Sequence, residues 1–371
     1  MADQGGSLKE RSRKYWRLKY GSSIAETAYL LVILWVFIAS GLFRSVAAGV
    51  RTVAPDFWVG LALFMLILSA GRYLLAFPLH FFRSFILEHE FALTRQSVAD
   101  WFKDQAKAVS LSYCLSVFLA ALFYSLVKWQ PRDWWWLAGL VWILVSLVLA
   151  RLAPVAIIPL FFKYRPVLDE ALRCRITALA RKMGVAVTDV FEINLSRTTA
   201  KANAALVGWG KTRRVILGDT LRDAYTTEEI EAVLAHEFAH QKLGHMIRML
   251  VSGACVILAG LYVFWRLWGV IFDLAGVSGL TDLAGLALIA AYFFVLGIVA
   301  QPFENLYSRR MEAAADRLAL SATQNPQAFI SLMEKLAAQN LADRAPGPLA
   351  RLLFFDHPSV EERIAMARRA L

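Results

Sequence analysis

The chain has 371 residues, 58% of them apolar, and a formal net charge of +11. So high an apolar share exceeds the roughly half found in soluble domains and points to a membrane protein. The positive excess is accounted for by basic flanks facing anionic lipid, which leaves no role for nucleic acid as a partner. Three widely separated cysteines, Cys114, Cys174 and Cys255, exclude a disulfide framework or a thiolate metal site and read as core residues.

Runs of roughly 18 or more apolar residues, enough to cross a ~30 Å hydrocarbon layer as helix, predict six spans. They fall at about 23–43, 57–79, 108–127, 134–161, 246–272 and 283–303; Arg151 and Pro154 in the fourth and Arg266 in the fifth blur their ends. The first run is too long for a cleaved signal and is read as a retained helix. Before it come Lys9, Arg11, Arg13, Lys14, Arg17 and Lys19, which place the N-terminus in the cytosol. Six spans return the C-terminus to the same side. The threading puts 80–107, 162–245 and 304–371 inside and 273–282, which has no Lys or Arg, outside.

The expected organisation is a membrane region at 1–161 with a cytosolic loop at 80–107, a cytosolic segment at 162–245, a transmembrane hairpin at 246–303 and C-terminal cytosolic helices at 304–371. Within the first cytosolic segment, "DEALRCRITALARKMG" reads as a helix, and "DVFEIN" and "RRVILG" read as strands. Between the strands, "NAALVGWG" is a third strand or a turn. Because these parts interrupt the spans and do not trail them, they form one integrated domain of mixed α and β structure.

The stretch "AVLAHEFAHQKLGH" then holds three of the six histidines, His236, His240 and His245. Thr226 and Glu229 form a capping box that starts a helix through 227–245. Residues four apart share a helical face, so His236 and His240 can present two imidazoles to one zinc ion, with Glu237 beside the open position. In this H-E-x-x-H pattern the Glu takes a proton from the attacking water as it adds to a peptide carbonyl. His245 lies nine residues after His236, where a three-histidine zinc site would need ten and a glycine at Leu243, so it reads as a polar group at the membrane boundary.

A catalytic zinc takes three protein ligands plus water. Spans five and six form an antiparallel pair, which brings "NLYSRRMEAAADRLAL", 72 residues beyond His240 at Glu312, back to the same membrane face. Glu312 and Asp316 share a helical face, and the alanines between them allow close packing. Glu312 can complete the ligand set and Asp316 can hold the far nitrogen of a ligating histidine. Spacing alone leaves equally open a solvated acidic pair balanced by Arg309, Arg310 and Arg317.

With these residues in view, the chain resembles the membrane zinc metallopeptidases of the Ste24 type, the CAAX prenyl proteases, with their HtpX-like relatives. The resemblance is carried in order by "FPLHFFRSFILEHEFALTRQSVADWFKDQAK", "IIPLFFKYRPV", "SRTTAKANAALVGWGKTRRVILGDTL", "AVLAHEFAH", "NLYSRRMEAAAD" and "DHPSVEERI", roughly residues 77 to 366. The family commonly has Gly-Phe-Asn where this chain has Ala92-Leu93-Thr94, and seven spans where six are counted here.

The resemblance implies a polytopic helical membrane protein with an integrated zincin-like α+β peptidase domain, and one zinc on His236, His240 and Glu312, with Glu237 as general base. It implies that the run around Asn203 and Ala204 is an edge strand that pairs with the extended substrate. It places Asn305, His357 and Arg363 near the zinc, steadying the oxyanion or the substrate carbonyl; before Pro358, His357 also reads as a polar residue at a helix start. The implied partners are the lipid bilayer and a peptide or protein substrate, prenylated or membrane-embedded, with the bacterial inner membrane favoured over the endoplasmic reticulum. Quality-control proteolysis without prenyl specificity is the alternative task. A non-catalytic scaffold has no need of a general base, and a transporter would place its polar groups at the midplane.

Overall fold

A computed structural model describes residues 8–208, 210 and 213–371. Among the described residues six helices are long and apolar enough to cross a membrane, in agreement with the six predicted spans. They are longer than the apolar runs alone. In chain order the first half comprises α1 (Leu8–Ala39), α2 (Leu42–Val53), α3 (Phe57–Phe81), α4 (Leu87–Glu90), α5 (Val98–Trp129), α6 (Trp134–Leu152) and α7 (Ile158–Phe161). Turns of π-helix at Phe82–Ile86 and Ala153–Ile157 join α3 to α4 and α6 to α7. Pro154, which has no N–H to donate, lies in the second of these, and the helix widens there where the sequence left its end blurred. The predicted first span ran to residue 43, but Gly41 at φ 71 turns the chain and Leu42 begins a separate helix.

The second half comprises β1 (Tyr164–Pro166), α8 (Glu170–Met183), β2 (Asp189–Ile193), β3 (Ala204–Val207), β4 (Arg214–Gly218) and α9 (Asp219–Arg222). It continues with α10 (Thr227–Lys242), α11 (His245–Leu274), α12 (Gly285–Thr323), α13 (Pro326–Gln339), α14 (Pro348–Phe354) and α15 (Val360–Arg368). The strands form one sheet in the order β1-β2-β4-β3, with β2 and β4 parallel and the other pairs antiparallel. The run "NAALVGWG" is thus a strand at the sheet edge; its Trp209 lies outside the described residues. The short β1 was not foreseen.

Two cores hold the molecule together. One joins β4, α8, α10, α12, α13 and α15 around Ile176, Val215, Phe238 and Phe329. The other joins α2, α3, α5, α6, α11 and α12 around Phe64, Tyr124, Trp134 and Phe264. Close approach in the second core relies on small residues: a Cβ on Gly139 would sit 2.2 Å from Leu258, and one on Gly260 would sit 2.3 Å from Leu296. The helix α12 belongs to both cores. At 39 residues it is about 58 Å long, more than a bilayer requires, so its second half extends into the α+β unit.

Two further expectations are corrected. Cys114, Cys174 and Cys255 are all exposed, not core residues: they occupy the outward faces of α5, α8 and α11. The helix expected through 227–245 ends at Lys242, because Gly244 takes the left-handed conformation at φ 65 and a new helix starts at His245. A third position explains a departure from the family pattern. Ala92 stands where the family commonly has glycine, and its φ of 57 is the left-handed geometry glycine favours, at a cost to alanine of about 1–2 kcal/mol.

Candidate active site

The site is assembled on α10. Thr226 caps it in the expected box, its hydroxyl accepting from Glu229 N–H while the Glu229 carboxylate accepts from Thr226 N–H. Ala235 and Ala239 on α10, and Ala315 and Ala319 on α12, are fully buried in the shared core, and such small side chains let the two helices approach. That packing sets His236 and His240 opposite Glu312 and Asp316.

His236 Nε2 lies 3.1 Å from Glu312 Oε2, His240 Nε2 lies 3.2 Å from Glu312 Oε1, and the two imidazole Nε2 atoms are 3.0 Å apart. These three residues can hold a metal ion, their ligand atoms all falling within 4.8 Å of one another. The donor set suits zinc: two imidazoles and a buried carboxylate, each of whose oxygens faces one of them. The open coordination such a trio leaves is the catalytic pattern.

Around the trio a chain of charges is closed. His236 Nδ1 lies 2.8 Å from Asp316 Oδ1, and Arg363 donates to both oxygens of Asp316, from Nε at 2.8 Å and Nη2 at 2.6 Å. Asp316 is fully buried, so this two-pronged contact offsets a charge that would otherwise be costly. Burial pushes the His236 imidazole down, but its hydrogen bonds to the carboxylates of Asp316 and Glu312 prevail and raise it to about 9. Burial pushes the Glu237 carboxyl above the usual carboxylate range, and among the described residues it has no hydrogen-bond partner. Its carboxyl lines the cleft beside the trio with no hydrogen bond to commit it elsewhere.

His357, reached 45 residues beyond Glu312, comes to the same carboxylate, with Nε2 3.1 Å from Glu312 Oε2 and Nδ1 2.7 Å from Asp356 Oδ1. Burial lowers its proton affinity, yet Asp356 and Glu312 together hold it above the ordinary histidine value. The helix-start reading also holds in part, since α15 begins three residues later behind Ser359. Asn305 differs from the others. It lies on α12 two turns before Glu312, but its Nδ2 donates to the carbonyls of Leu352 and Leu353, at 3.1 and 2.9 Å. Its donor secures α14 and is not presented to the cleft.

A cavity of about 190 Å³ runs past these groups, lined by Asn203, Ala204, His236, Glu237, His357 and Arg363 among others. The strand β3 forms one wall. Gly218 N–H donates to Asn203 O at 2.9 Å, so the main chain of Asn203 faces β4 and that of Ala202, Ala204 and Leu206 faces the open edge. Ala202 N–H is already taken by Asn340 Oδ1 at 3.1 Å. Ala204 and Leu206 remain to pair with an extended peptide, and Asn203 can contribute its side chain.

His245 was missed. It is buried, 3% exposed, and its Nδ1 lies 2.9 Å from His240 Nδ1, on the side away from Glu312. Sequence spacing counted it along a continuous helix and could not show the turn at Gly244.

Comparison with known proteins adds two family matches. Residues 166–371 match peptidase family M48, and residues 7–163 match the CAAX prenyl protease N-terminal family, described by five membrane helices. The chain is 29% identical over 341 residues to the uncharacterized metalloprotease YhfN of Bacillus subtilis, covering 91% of this chain and 80% of that protein. It is 27% identical over 382 residues to CAAX prenyl protease 1 of Saccharomyces cerevisiae, covering 95% and 84%. The crystal structure of S. mikatae Ste24p superimposes with a TM-score of 0.87 at 25% identity, over 97% of this chain and 89% of that one.

Proposed function

The chain belongs to peptidase family M48, and on that premise we propose that it is a zinc-dependent endopeptidase that cuts peptides or protein termini at the cytosolic membrane face, in the manner of the CAAX prenyl proteases. The observation that carries this reading is the convergence of His236, His240 and Glu312 within 4.8 Å, with the unpaired Glu237 next to them.

His236, His240 and Glu312 hold the metal, which when bound supplies Lewis acidity to water and carbonyl oxygen. Asp316 fixes the tautomer of His236, and Arg363 fixes Asp316. Glu237 takes the proton of the attacking water and passes it to the leaving amine. His357, held toward its charged form, donates to the oxyanion that develops at the scissile carbonyl. Asn305 positions α14 near that histidine. The substrate adds a strand to β3, with Ala204 and Leu206 supplying main-chain bonds and Asn203 a side-chain contact. A prenylated or membrane-embedded substrate suits a site carried on helices that continue out of the bilayer. We favour the bacterial inner membrane over the endoplasmic reticulum, a placement supported by the likeness to the B. subtilis protein.

The decisive experiment pairs Glu237→Gln with wild type in detergent, measuring zinc stoichiometry and cleavage of a C-terminally prenylated peptide beside its unprenylated twin. The expected result is zinc near one per chain in both proteins, cleavage of the prenylated peptide by wild type, and a rate loss of about 10²-fold or more in the variant. Loss of metal with activity would make Glu237 structural. Equal cleavage of both peptides would replace the prenyl reading with quality-control proteolysis, and no zinc in wild type would overturn the mechanism.

A further inference from the structure

Each imidazole of the site has one nitrogen turned toward Glu312 and one turned away, and whatever holds the far nitrogen governs how the near one is presented. For His236 that holder is a carboxylate, Asp316. For His240 it is another imidazole. Nδ1 of His240 and Nδ1 of His245 are 2.9 Å apart, and the rings meet edge to face at 72° with centroids 5.0 Å apart.

Two nitrogens at that distance share one proton. His240 Nε2 faces His236 Nε2 at 3.0 Å and Glu312 Oε1 at 3.2 Å, so a neutral His240 that offers its lone pair there carries its proton on Nδ1. It must then donate to His245 Nδ1, which accepts. We propose that His245 is a positioning residue: its Nδ1 lone pair fixes the tautomer and ring plane of His240 so that His240 Nε2 is aimed at a divalent metal ion. This rests on the reading of His236, His240 and Glu312 as a zinc site.

The backbone is built for the contact. In an unbroken helix a residue five positions on lies about 140° around the axis, out of reach of its predecessor. Gly244, at φ 65 and ψ 29, breaks the helix and starts α11 in a new direction, returning His245 against His240. A Cβ on Gly244 would meet nothing within 4 Å, so the conformation and not crowding calls for glycine. Burial at 3% exposure keeps water from serving as the acceptor in place of His245. The usual holder of a ligating histidine is a carboxylate, a carbonyl or water. Here two ligands of one site are held by partners of different charge.

The test uses the full-length protein in detergent with His245→Phe, which fills the space but accepts no hydrogen bond, and His245→Gln, whose amide oxygen accepts one. Zinc affinity is measured by chelator competition, the visible spectrum is recorded after Co(II) substitution, and thermal unfolding of the metal-free forms checks the fold. The expected result is a zinc affinity about 10- to 100-fold weaker and a shifted Co(II) band in His245→Phe, with most of both restored in His245→Gln. Unchanged affinity and spectrum in His245→Phe would overturn the proposal, as would equal loss in both variants, since the effect would then follow packing and not the acceptor. Should His245→Phe fail to fold, His245→Leu takes its place with the same outcomes. Glu312→Ala separates the two levels: zinc retained there overturns the site itself, whereas zinc lost there with His245→Phe unaffected overturns only the role of His245.

Discussion

Glu312 makes more of the candidate site than any other side chain, with His236, His240 and His357 all within about 3.2 Å of its carboxylate. Its truncation removes one of the three proposed ligands and also leaves three imidazoles facing one another. Glu312→Ala is therefore expected to weaken zinc binding by orders of magnitude while the protein stays monodisperse in detergent, because α12 is anchored along both cores. Asp316→Asn keeps the shape and a hydrogen-bond acceptor but removes the charge, and a loss of about 10- to 100-fold in zinc affinity or activity follows. Metal stoichiometry under chelator challenge checks both. Zinc retained in Glu312→Ala would require a different ligand set.

At the scale of the element, α10 depends on Glu229. Its buried carboxylate accepts from Thr226 N–H at 2.8 Å, Ser331 Oγ at 2.6 Å and Lys335 Nζ at 2.7 Å, tying the start of the histidine helix to α13. Burial alone would raise its pKa, but the bonds from Lys335, Ser331 and Thr226 win and hold it below the ordinary glutamate value. A carboxyl depressed in the folded state stabilises above its unfolded pKa of about 4.3, and the contribution is lost as the pH falls through the lower folded value. Glu229→Gln is thus expected to lower stability by roughly 1–3 kcal/mol near pH 7, with the gap to wild type closing below about pH 4. Thermal unfolding in detergent at several pH values tests this; a gap that does not change with pH would assign the effect to packing alone.

Across the whole molecule, the long helices connect membrane and α+β unit at several points. The first turns of α1 lie against the C-terminal region: Ser12 Oγ donates to Leu341 O at 3.0 Å, Trp16 Nε1 to the same carbonyl at 2.6 Å, and Tyr20 stacks on Phe354. Glu88, at the end of the second span, gathers Tyr15, Lys19 and Lys201 within 2.8 Å, so α1, α4 and the approach to β3 meet on one carboxylate. These contacts bring the first turns of α1, the 80–107 loop and both polar segments together at one end of the helices. With the basic residues before the first span setting the cytosolic side in the proposed threading, accessibility probes should label 273–282 from the outer face and Lys163 and Arg344 only from the cytosol. An outer-face signal at Lys163 would overturn the proposed threading and the cytosolic placement of the site.

What could be read in the chain was whatever depends on near neighbours. Apolar runs marked six spans because helix length and bilayer thickness are matched. The capping box and the pairing of His236 with His240 followed from the 3.6-residue turn, and the edge strand at Ala204–Val207 from its composition and resemblance. Spacing could not choose between Glu312 as a ligand and as half of a solvated acidic pair; the fold buries it against both histidines by closing a helical hairpin. Nor could it place His357 and Arg363 beside carboxylates more than 40 residues away, or turn Asn305 toward α14. Exposed Cys114 and Cys255 show the same limit on membrane-crossing helices, where an apolar side chain suits lipid and a neighbouring helix equally and only packing decides which it meets. His245 is the sharpest case: its spacing from His236 spoke only against a ligand, and a single left-handed glycine, Gly244, brings it within 2.9 Å of His240. Local sequence sets the period of each element, but which side chains meet is decided by the directions in which elements leave their turns and by the cores that lock them.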